Sequence, residues 1–558
     1  MNPRTDGRIP VTIQGGASLI NHDGCFTSLG RLLTLATTVL LLSGCAVGPD
    51  FAKPQGKQNE NWIEKDDPRV ATQKAVSEEW WKTFNDPMLD QLIRQASRQN
   101  LPLQVAGLRI LEARAQLGIA IGLQYPQTQE LLGSATAVGL SSNAANSALL
   151  ERYYRDYQSG FDAAWELDFW GKYRRGVEAD AANLMSTAAD YDNALVSLAA
   201  EVARTYALIR TYEVLIDLAR ENVTVQEQGL QLAESRLRNG VTTELDVAQA
   251  RSLLESTKAT IPQLQINLQQ GQNALSTLLG QPVGDIEALR EGRKGIPIAP
   301  SEVAVGLPAE LLRRRPDIRS AELAAAAQSA RIGIAKADLY PSFSLVGQIG
   351  LETSDSRKTF LGQTSKADLH NLFDRNSLFY SVGPTVQWPV LNYGRIRNNV
   401  RVQDARFQES LVNYQNTVLT AAREVEDALA GFLKSQESAA SEEKSVAAAK
   451  RSEELSIVQY REGAVDYQRV LDSQRFLLQE EDKLAQTRSS IATNLIALYK
   501  ALGGGWELGR GQPIVAESTQ AEMQKRTDWG RLLPAPVPEK MNPPSPKIVI
   551  PLPKEPDW

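Results

Sequence analysis

Leu42-Ser43-Gly44-Cys45 is the one place in this chain where residue types and order predict a covalent reaction. Small residues ahead of a cysteine let a peptidase reach the backbone, and the freed thiol of Cys45 then receives a lipid. The apolar run over residues 32–42 follows Arg31 in the order of a secretory leader and is far shorter than the ~20 residues that span a bilayer. A leader over 1–44 is therefore expected, with Cys45 opening the mature chain. Its long head, with Pro10, Cys25 and no second Met before Met88, points to initiation at a later codon: Val11, Ile13, Leu19 or Leu29. Cys25 then leaves with the leader, and no disulfide is expected.

Other chemistry is thinly supplied. The chain of 558 residues has two histidines, and with His22 in the leader only His370 remains, which excludes His-based zinc clusters and leaves a single residue to serve as the base of a Ser/His/Asp triad. The glycines of "LGGGWELG" (502–509) fit neither a P-loop nor a dinucleotide fingerprint. The acidic residues sit mostly on helical faces, where a solvated charge is the default. No catalytic residue, no metal and no cofactor beyond the lipid on Cys45 is expected, and the protein reads as not an enzyme. A net charge of −6, moving to −7 without residues 1–44, argues against nucleic acid as a partner. Past the leader no apolar run reaches membrane-spanning length, so further membrane contact must come from strands or from the lipid.

The elements around these residues are written twice. Trp165 and Gly171 recur as Trp388 and Gly394, Gly240 of "RLRNG" as Gly463 of "QYREG", and Gly280 of "ALSTLLG" as Gly503 of "ALYKALG", each pair 223 positions apart. Tyr125-Pro126 and Tyr340-Pro341 are 215 apart, so the second copy carries eight extra residues before its tryptophan. An internal duplication is inferred from the shared offset.

Each copy opens and closes with helix and holds a β-hairpin between. Tyr380, Val382, Pro384, Val386 and Trp388 alternate with Ser381, Gly383, Thr385 and Gln387; Tyr157, Phe161, Trp165 and Leu167 lie opposite Gln158, Asp162 and Glu166. Phe343, Leu345, Ile349 and Leu351 stand against Ser342, Ser344 and Gln348, while the first strand, over 127–138, is the least clear. Alternation alone also fits a soluble sandwich. Four strands cannot close a membrane barrel, which needs about eight; three chains of four would close one of twelve around a polar lumen.

Residues 172–238 contain no proline, and at ~1.5 Å per residue such a helix is about 100 Å long. Its seam runs in heptads through Leu195, Val202, Ile209, Ile216, Val223, Leu230 and Leu237, with Leu198, Thr205, Tyr212, Ala219 and Ala233 at the second position. Gly240 ends it and a returning helix follows over 244–279, with Pro262 as an expected kink. The second copy repeats this over 395–461 and 467–502, with a smaller seam of Val418, Val425, Phe432, Ala439 and Val446.

"CAVGPDFAKP", "WWKTFNDPMLDQLI", "FDAAWELDFWGKYRRG", "LLRRRPDIRSAE", "KADLYPSFSL" and "ALGGGW" together resemble the TolC-like outer-membrane efflux proteins, in the lipoprotein branch typified by OprM and NodT. The resemblance spans residues 45–506. It implies an α+β membrane protein: a homotrimer with a twelve-stranded outer-membrane β-barrel, four strands per chain, and a long periplasmic α-helical coiled-coil tunnel. It further implies a passive exit duct for small toxic compounds, lipid-anchored in the cell outer membrane and reaching into the periplasm. Its partners would be a periplasmic membrane-fusion adaptor and an inner-membrane pump of the resistance-nodulation-division type. A duct for secreted proteins and a periplasmic coiled-coil scaffold lipoprotein are the alternatives; the lipobox speaks against the first and the strands against the second.

By the same resemblance the turns at Arg238, Gly240, Val241 and at Arg461, Gly463, Ala464 are periplasmic tips that meet the adaptor. Asp246, Tyr460 and Asp472 match the residues that ring and tie the constricted mouth, and Arg469 stands where some relatives carry a second acid. Three copies of Arg469 would pair with Asp472 or offset its ring.

The expected organisation is leader 1–44, anchor and N-terminal equatorial segment 45–87, repeat 1 over 88–280, equatorial linker 281–307, repeat 2 over 308–503, and a C-terminal tail 504–558. Nine prolines fall within 534–558, a composition that favours extended or disordered chain.

Overall fold

A computed structural model describes residues 46–56, 59–72, 77–143, 151–284, 286, 289, 294–355, 357–360 and 363–533. Cys45, the leader and the proline-rich residues 534–558 lie outside them.

The chain runs from a short strand β1 (Val70–Ala71) into α1 (Pro87–Gln99) and α2 (Leu101–Gly122). Asp86 caps α1 by accepting the N–H groups of Met88 and Leu89 at 3.0 and 3.4 Å, and Asn100 caps α2 through the N–H of Leu103 at 2.9 Å. The hairpin β2 (Thr128–Gly139) and β3 (Tyr153–Leu167) follows, then α3 (Lys172–Arg238) and α4 (Glu244–Leu278). The second half opens with β4 (Val303–Ala304), which pairs in parallel with β1, and continues through α5 (Pro308–Arg314) and α6 (Pro316–Ala337). Strand β5 (Ser342–Ser354), a small hairpin of β6 (Arg357–Phe360) and β7 (Gln363–Lys366), and β8 (Leu378–Gln387) lead to α7 (Arg395–Arg461), α8 (Tyr467–Ala501) and a last helix α9 (Glu517–Arg526). The β6–β7 hairpin lies in the stretch where the second half is longer.

Both α3 and α7 have 67 residues, and both α4 and α8 have 35. The absence of internal proline lets α3 and α7 run unbroken for about 100 Å, and α4 continues as helix through Pro262. Among the described residues no helix is long and apolar enough to cross a membrane.

Strands β2-β3-β5-β8 form one antiparallel sheet in that order. Its register sets Phe161 beside Leu131 on one side and Ile349 on the other, and Ile349 beside Tyr380. Phe161, Trp165, Leu345, Ile349, Tyr380, Val382 and Val386 therefore share one exposed apolar face. Asp156, Asp162, Glu166, Ser344 and Gln348 share the opposite face. No second sheet packs on the apolar side among the described residues, as a soluble sandwich would require.

The principal core lies beside the middle of the long helices. Trp80 and Trp81 are fully buried there, and the Trp80 ring stacks on Tyr499 at 5.3 Å. Arg315 pairs with Asp317 at 2.7 Å and Glu424 at 2.8 Å and donates to the Ala501 carbonyl at 3.0 Å, locking α6 to α7 and α8. The stretch after Gly504 joins this core through Ile514, Val515, Met523 and Leu533. The tail therefore begins with a packed segment, and the proline-rich composition comes only after it. At Gly107 a Cβ would stand 2.0 Å from the Ile514 carbonyl oxygen. Gly107→Ala is expected to cost about 1–3 kcal/mol by forcing that segment off α2, read as a lower melting temperature of the purified protein.

Candidate functional site: the paired helical tips

Both long hairpins turn by the same device. Gly240 (φ 72°) and Gly463 (φ 77°) adopt the left-handed conformation open to glycine. The Val241 N–H returns to the Arg236 carbonyl at 3.0 Å and the Ala464 N–H to Gln459 at 2.9 Å, satisfying carbonyls that the helix ends leave over. Arg238, Val241, Arg461 and Ala464 are all exposed around these turns. A tight turn with its side chains outward offers a surface rather than a reactive centre.

Asp466 caps α8 by accepting the N–H of Arg469 at 3.4 Å. The Arg469 guanidinium is exposed and makes no ion pair within the described residues. Asp472, three positions on and also exposed, instead accepts Gln468 Nε2 at 2.9 Å. Asp246 is half-buried and accepts the Thr242 hydroxyl. The chain thus holds Asp246, Arg469 and Asp472 on the first two turns of the returning helices, without joining them to one another.

Tyr460 is placed differently. It is 2% exposed, wedged between the hairpins with its ring edge-on to Tyr467 at 5.0 Å, and its hydroxyl has no hydrogen-bond partner. Burial pushes the Tyr467 phenol well up, helped by nearby Tyr460 and the charge of Asp246. Both rings pack around Ala233, Val247, Ala250, Val470 and Leu471.

Arg236 closes this cluster, and sequence reasoning did not single it out. Its guanidinium lies 4.6 Å over the Tyr460 ring and donates through Nη1 to the carbonyls of Tyr460 and Arg461. A cation on the last carbonyls of α7 meets the negative end of that helix, so one side chain of the first hairpin holds the end of the second. The residue 223 positions later is Gln459, so the second hairpin carries no arginine at the matching position.

Above the tips the interior turns polar. Asn222, Gln226 and Gly229 are buried on α3, whereas the heptad positions Val223 and Leu230 are half-buried. Asn222 donates to Glu481 at 3.0 Å, and Gly229 leaves room for the Tyr467 hydroxyl, 3.0 Å from where a Cβ would sit. Gln474 approaches Glu453 at 3.5 Å, and the Ser456 and Ser473 hydroxyls bond at 2.7 Å. Burial, with the charge of Glu481 adding to it, pushes the Glu453 carboxyl up despite the Gln474 bond. A raised carboxyl stabilises the fold least when ionised, so stability is lost as pH rises from the unfolded pKa through the folded one. Glu453→Gln is expected to remove that contribution: the difference between thermal scans at about pH 5 and about pH 8 should be smaller for the variant than for the parent.

At the far end of the helices, the Val47 N–H bonds the Trp170 carbonyl at 2.9 Å and Asp50 pairs with Arg175 at 2.7 Å. The residues just after Cys45 therefore rest at the junction of β3 and α3. Among the described residues no group of three or more His, Cys, Asp or Glu is placed to hold a metal ion.

The family model described as outer membrane efflux protein matches residues 92–281 and 307–504. The cation efflux system protein CusC of Escherichia coli O6:H1 (strain CFT073) is 29% identical over 469 residues, covering 84% of this chain and 97% of that protein. Nodulation protein T of Rhizobium leguminosarum bv. viciae is 30% identical over 493 residues, covering 88% and 96%. Among solved structures, the outer-membrane channel OprN superposes with a TM-score of 0.76 at 32% identity, covering 83% of this chain and 100% of that one.

Proposed function

This chain belongs to the outer membrane efflux protein family, and on that footing we propose that three copies form the exit duct of a tripartite efflux pump. The observation that carries this reading is a sheet with one apolar and one polar face, set directly on paired 67-residue helices. A twelve-stranded barrel turns the apolar face to lipid and the polar face to a water-filled lumen, and the helices extend that lumen by about 100 Å toward the inner membrane. The equal helix lengths in the two halves, and the two segments matched by the one family model, support an internal duplication.

The duct performs no chemistry. Cargo moves down its gradient through water, driven by an inner-membrane pump of the resistance-nodulation-division type and handed over by a periplasmic adaptor at the tips around Gly240 and Gly463. Asp246 and Asp472 line the narrow mouth, Arg469 moderates its negative field, and Arg236 with Tyr460 keeps the hairpins together. A lipid on Cys45 fits the position of Val47, beside the strand-to-helix junction where the inner leaflet of the outer membrane would end. Relatives are named for cation efflux, pyoverdine export and solvent efflux, a spread that supports a duct with little selectivity and cargo chosen by the pump.

Accumulation of a fluorescent dye and of antibiotics in a strain lacking the gene tests the reading. Deletion should raise accumulation and the restored gene should lower it. Unchanged dye and antibiotic levels, with altered proteins in the medium, would favour a protein-secretion duct instead.

A further inference from the structure

Thr353 stands on the apolar face of the sheet, since it lies opposite Tyr157 in the register that also pairs Phe161 with Ile349. Its neighbours on that face are open, with Leu345 43% and Ile349 53% exposed, yet Thr353 is buried. What covers it is the segment 368–377, in the stretch where the second half is longer. The Thr353 hydroxyl donates to the Asp368 carbonyl at 3.3 Å, and Leu372, on the short 3-10 helix Leu369–Phe373 that follows, is buried too. This helix touches β5 and β3, the middle two strands. A lid on the lumen would rest on the polar face; this segment rests on the opposite one.

The segment holds its own shape. Asp368 accepts the His370 N–H at 2.9 Å and the Asn371 side chain takes the Asp368 N–H at 3.0 Å, a reciprocal cap. Asn371 then donates to Asp374 at 2.9 Å, and the Ser377 hydroxyl returns to the Asn371 carbonyl at 2.6 Å. With Leu372 turned in, Leu369 and Phe373 are left 50% and 81% exposed. Two open apolar side chains are ordinary on any surface. Their height on the barrel wall is what gives them a use.

That height follows from the strands. Phe343, near the helical end of β5, and Thr353 are ten positions apart. At ~3.4 Å per residue and a strand tilt of about 40°, the stretch climbs about 26 Å, which matches the ~25 Å apolar band of an outer-membrane barrel. Trp165 and Trp388, whose indole N–H groups donate to the carbonyls of Gln124 and Leu339 at 3.2 and 3.1 Å, mark the inner rim. At the other end of β3, Tyr157 and Tyr153 share the apolar side with the exposed Arg155 between them. Arginine on the lipid side is tolerated only near an interface, so Arg155 independently sets the outer rim at this level. The segment over Thr353 therefore lies where acyl chains give way to headgroups.

Resting on the duct reading above, we propose that residues 368–377 form a lipid-binding foot on the outside of the barrel, seating Leu369 and Phe373 in the outer leaflet at the boundary between acyl chains and headgroups. Interfacial helices place their apolar residues about 5–10 Å into that boundary. Because β3 and β5 are the middle strands, the foot stands clear of the edge strands β2 and β8 and meets lipid. Three feet, one per chain, hold the barrel at a fixed depth.

Fluorescent labels at single cysteines test the foot. Cys25 falls in the leader and Cys45 is expected to carry the lipid, so an added cysteine is the free thiol of the mature chain. Phe373→Cys, Ile349→Cys and Gln348→Cys are compared as full-length trimers in phospholipid vesicles with bromine placed either near the headgroups or near the chain ends. The Phe373→Cys label should be quenched several-fold more by the shallow bromines than by the deep ones, and the Ile349→Cys label the reverse. The Gln348→Cys label should answer to aqueous iodide instead. If Phe373→Cys answers only to iodide, or to neither quencher, while Ile349→Cys still reports lipid, the foot is overturned and the barrel stands. If Ile349→Cys is also blind to brominated lipid, both fall.

Discussion

Ile349→Arg is expected to abolish the heat-sensitive trimer in the outer membrane, while Gln348→Arg, its neighbour in the chain, leaves the trimer in place. Ile349 sits near the middle of β5 between Phe161 and Tyr380 on the apolar face. Gln348 faces the other way, opposite Asp162. An arginine on the lipid side of a barrel costs about 2–4 kcal/mol near the midplane, and three copies multiply that cost, whereas a lumen-facing arginine stays in water beside a carboxylate. The contrast between adjacent positions separates a barrel wall from a soluble sheet. In a periplasmic scaffold neither change would alter membrane association. Gels of unheated and heated outer membranes read the result directly.

Arg236→Ala is expected to make the duct leak. It removes two hydrogen bonds to the carbonyls of Tyr460 and Arg461 and the cation over the Tyr460 ring. Together these are worth about 2 kcal/mol, so the balance between closed and open tips should move about 30-fold per protomer. The unbonded Tyr460 hydroxyl already makes this cluster less than fully satisfied, so its loss should loosen the tips rather than unfold the helices. Cells carrying the variant should become sensitive to antibiotics too large for ordinary porins. Arg236→Lys should fall between, because an ammonium keeps the charge but lacks the planar fork that spans two carbonyls.

What the sequence made legible was whatever depends on local chemistry. The long helices could be read because neither α3 nor α7 contains proline and both stop at glycines that leave the right-handed region. The strands β3, β5 and β8 could be read because large apolar residues recur at alternate positions along much of each; β2, expected over 127–138 and found at Thr128–Gly139, was the least clear because Gly133, Ala135, Ala137 and Gly139 stand on its apolar side. Arg236 escaped notice because its partners lie 224 and 225 residues away, on a helix end that only tertiary packing brings near. Gln226 escaped for a related reason. It fills the gap in the seam between Ala219 and Ala233, where a heptad reading passes over a polar residue. The packed stretch through Leu533 was hidden by proximity to a proline-rich end, since its few buried residues carry no period.

The measurement that bears most directly on the duct is conductance of the purified, full-length protein in planar bilayers, for the parent and Arg236→Ala side by side. The account predicts discrete steps from the trimer, with the variant open for a larger fraction of the time. A preparation in which the trimer is intact and neither protein conducts would contradict it.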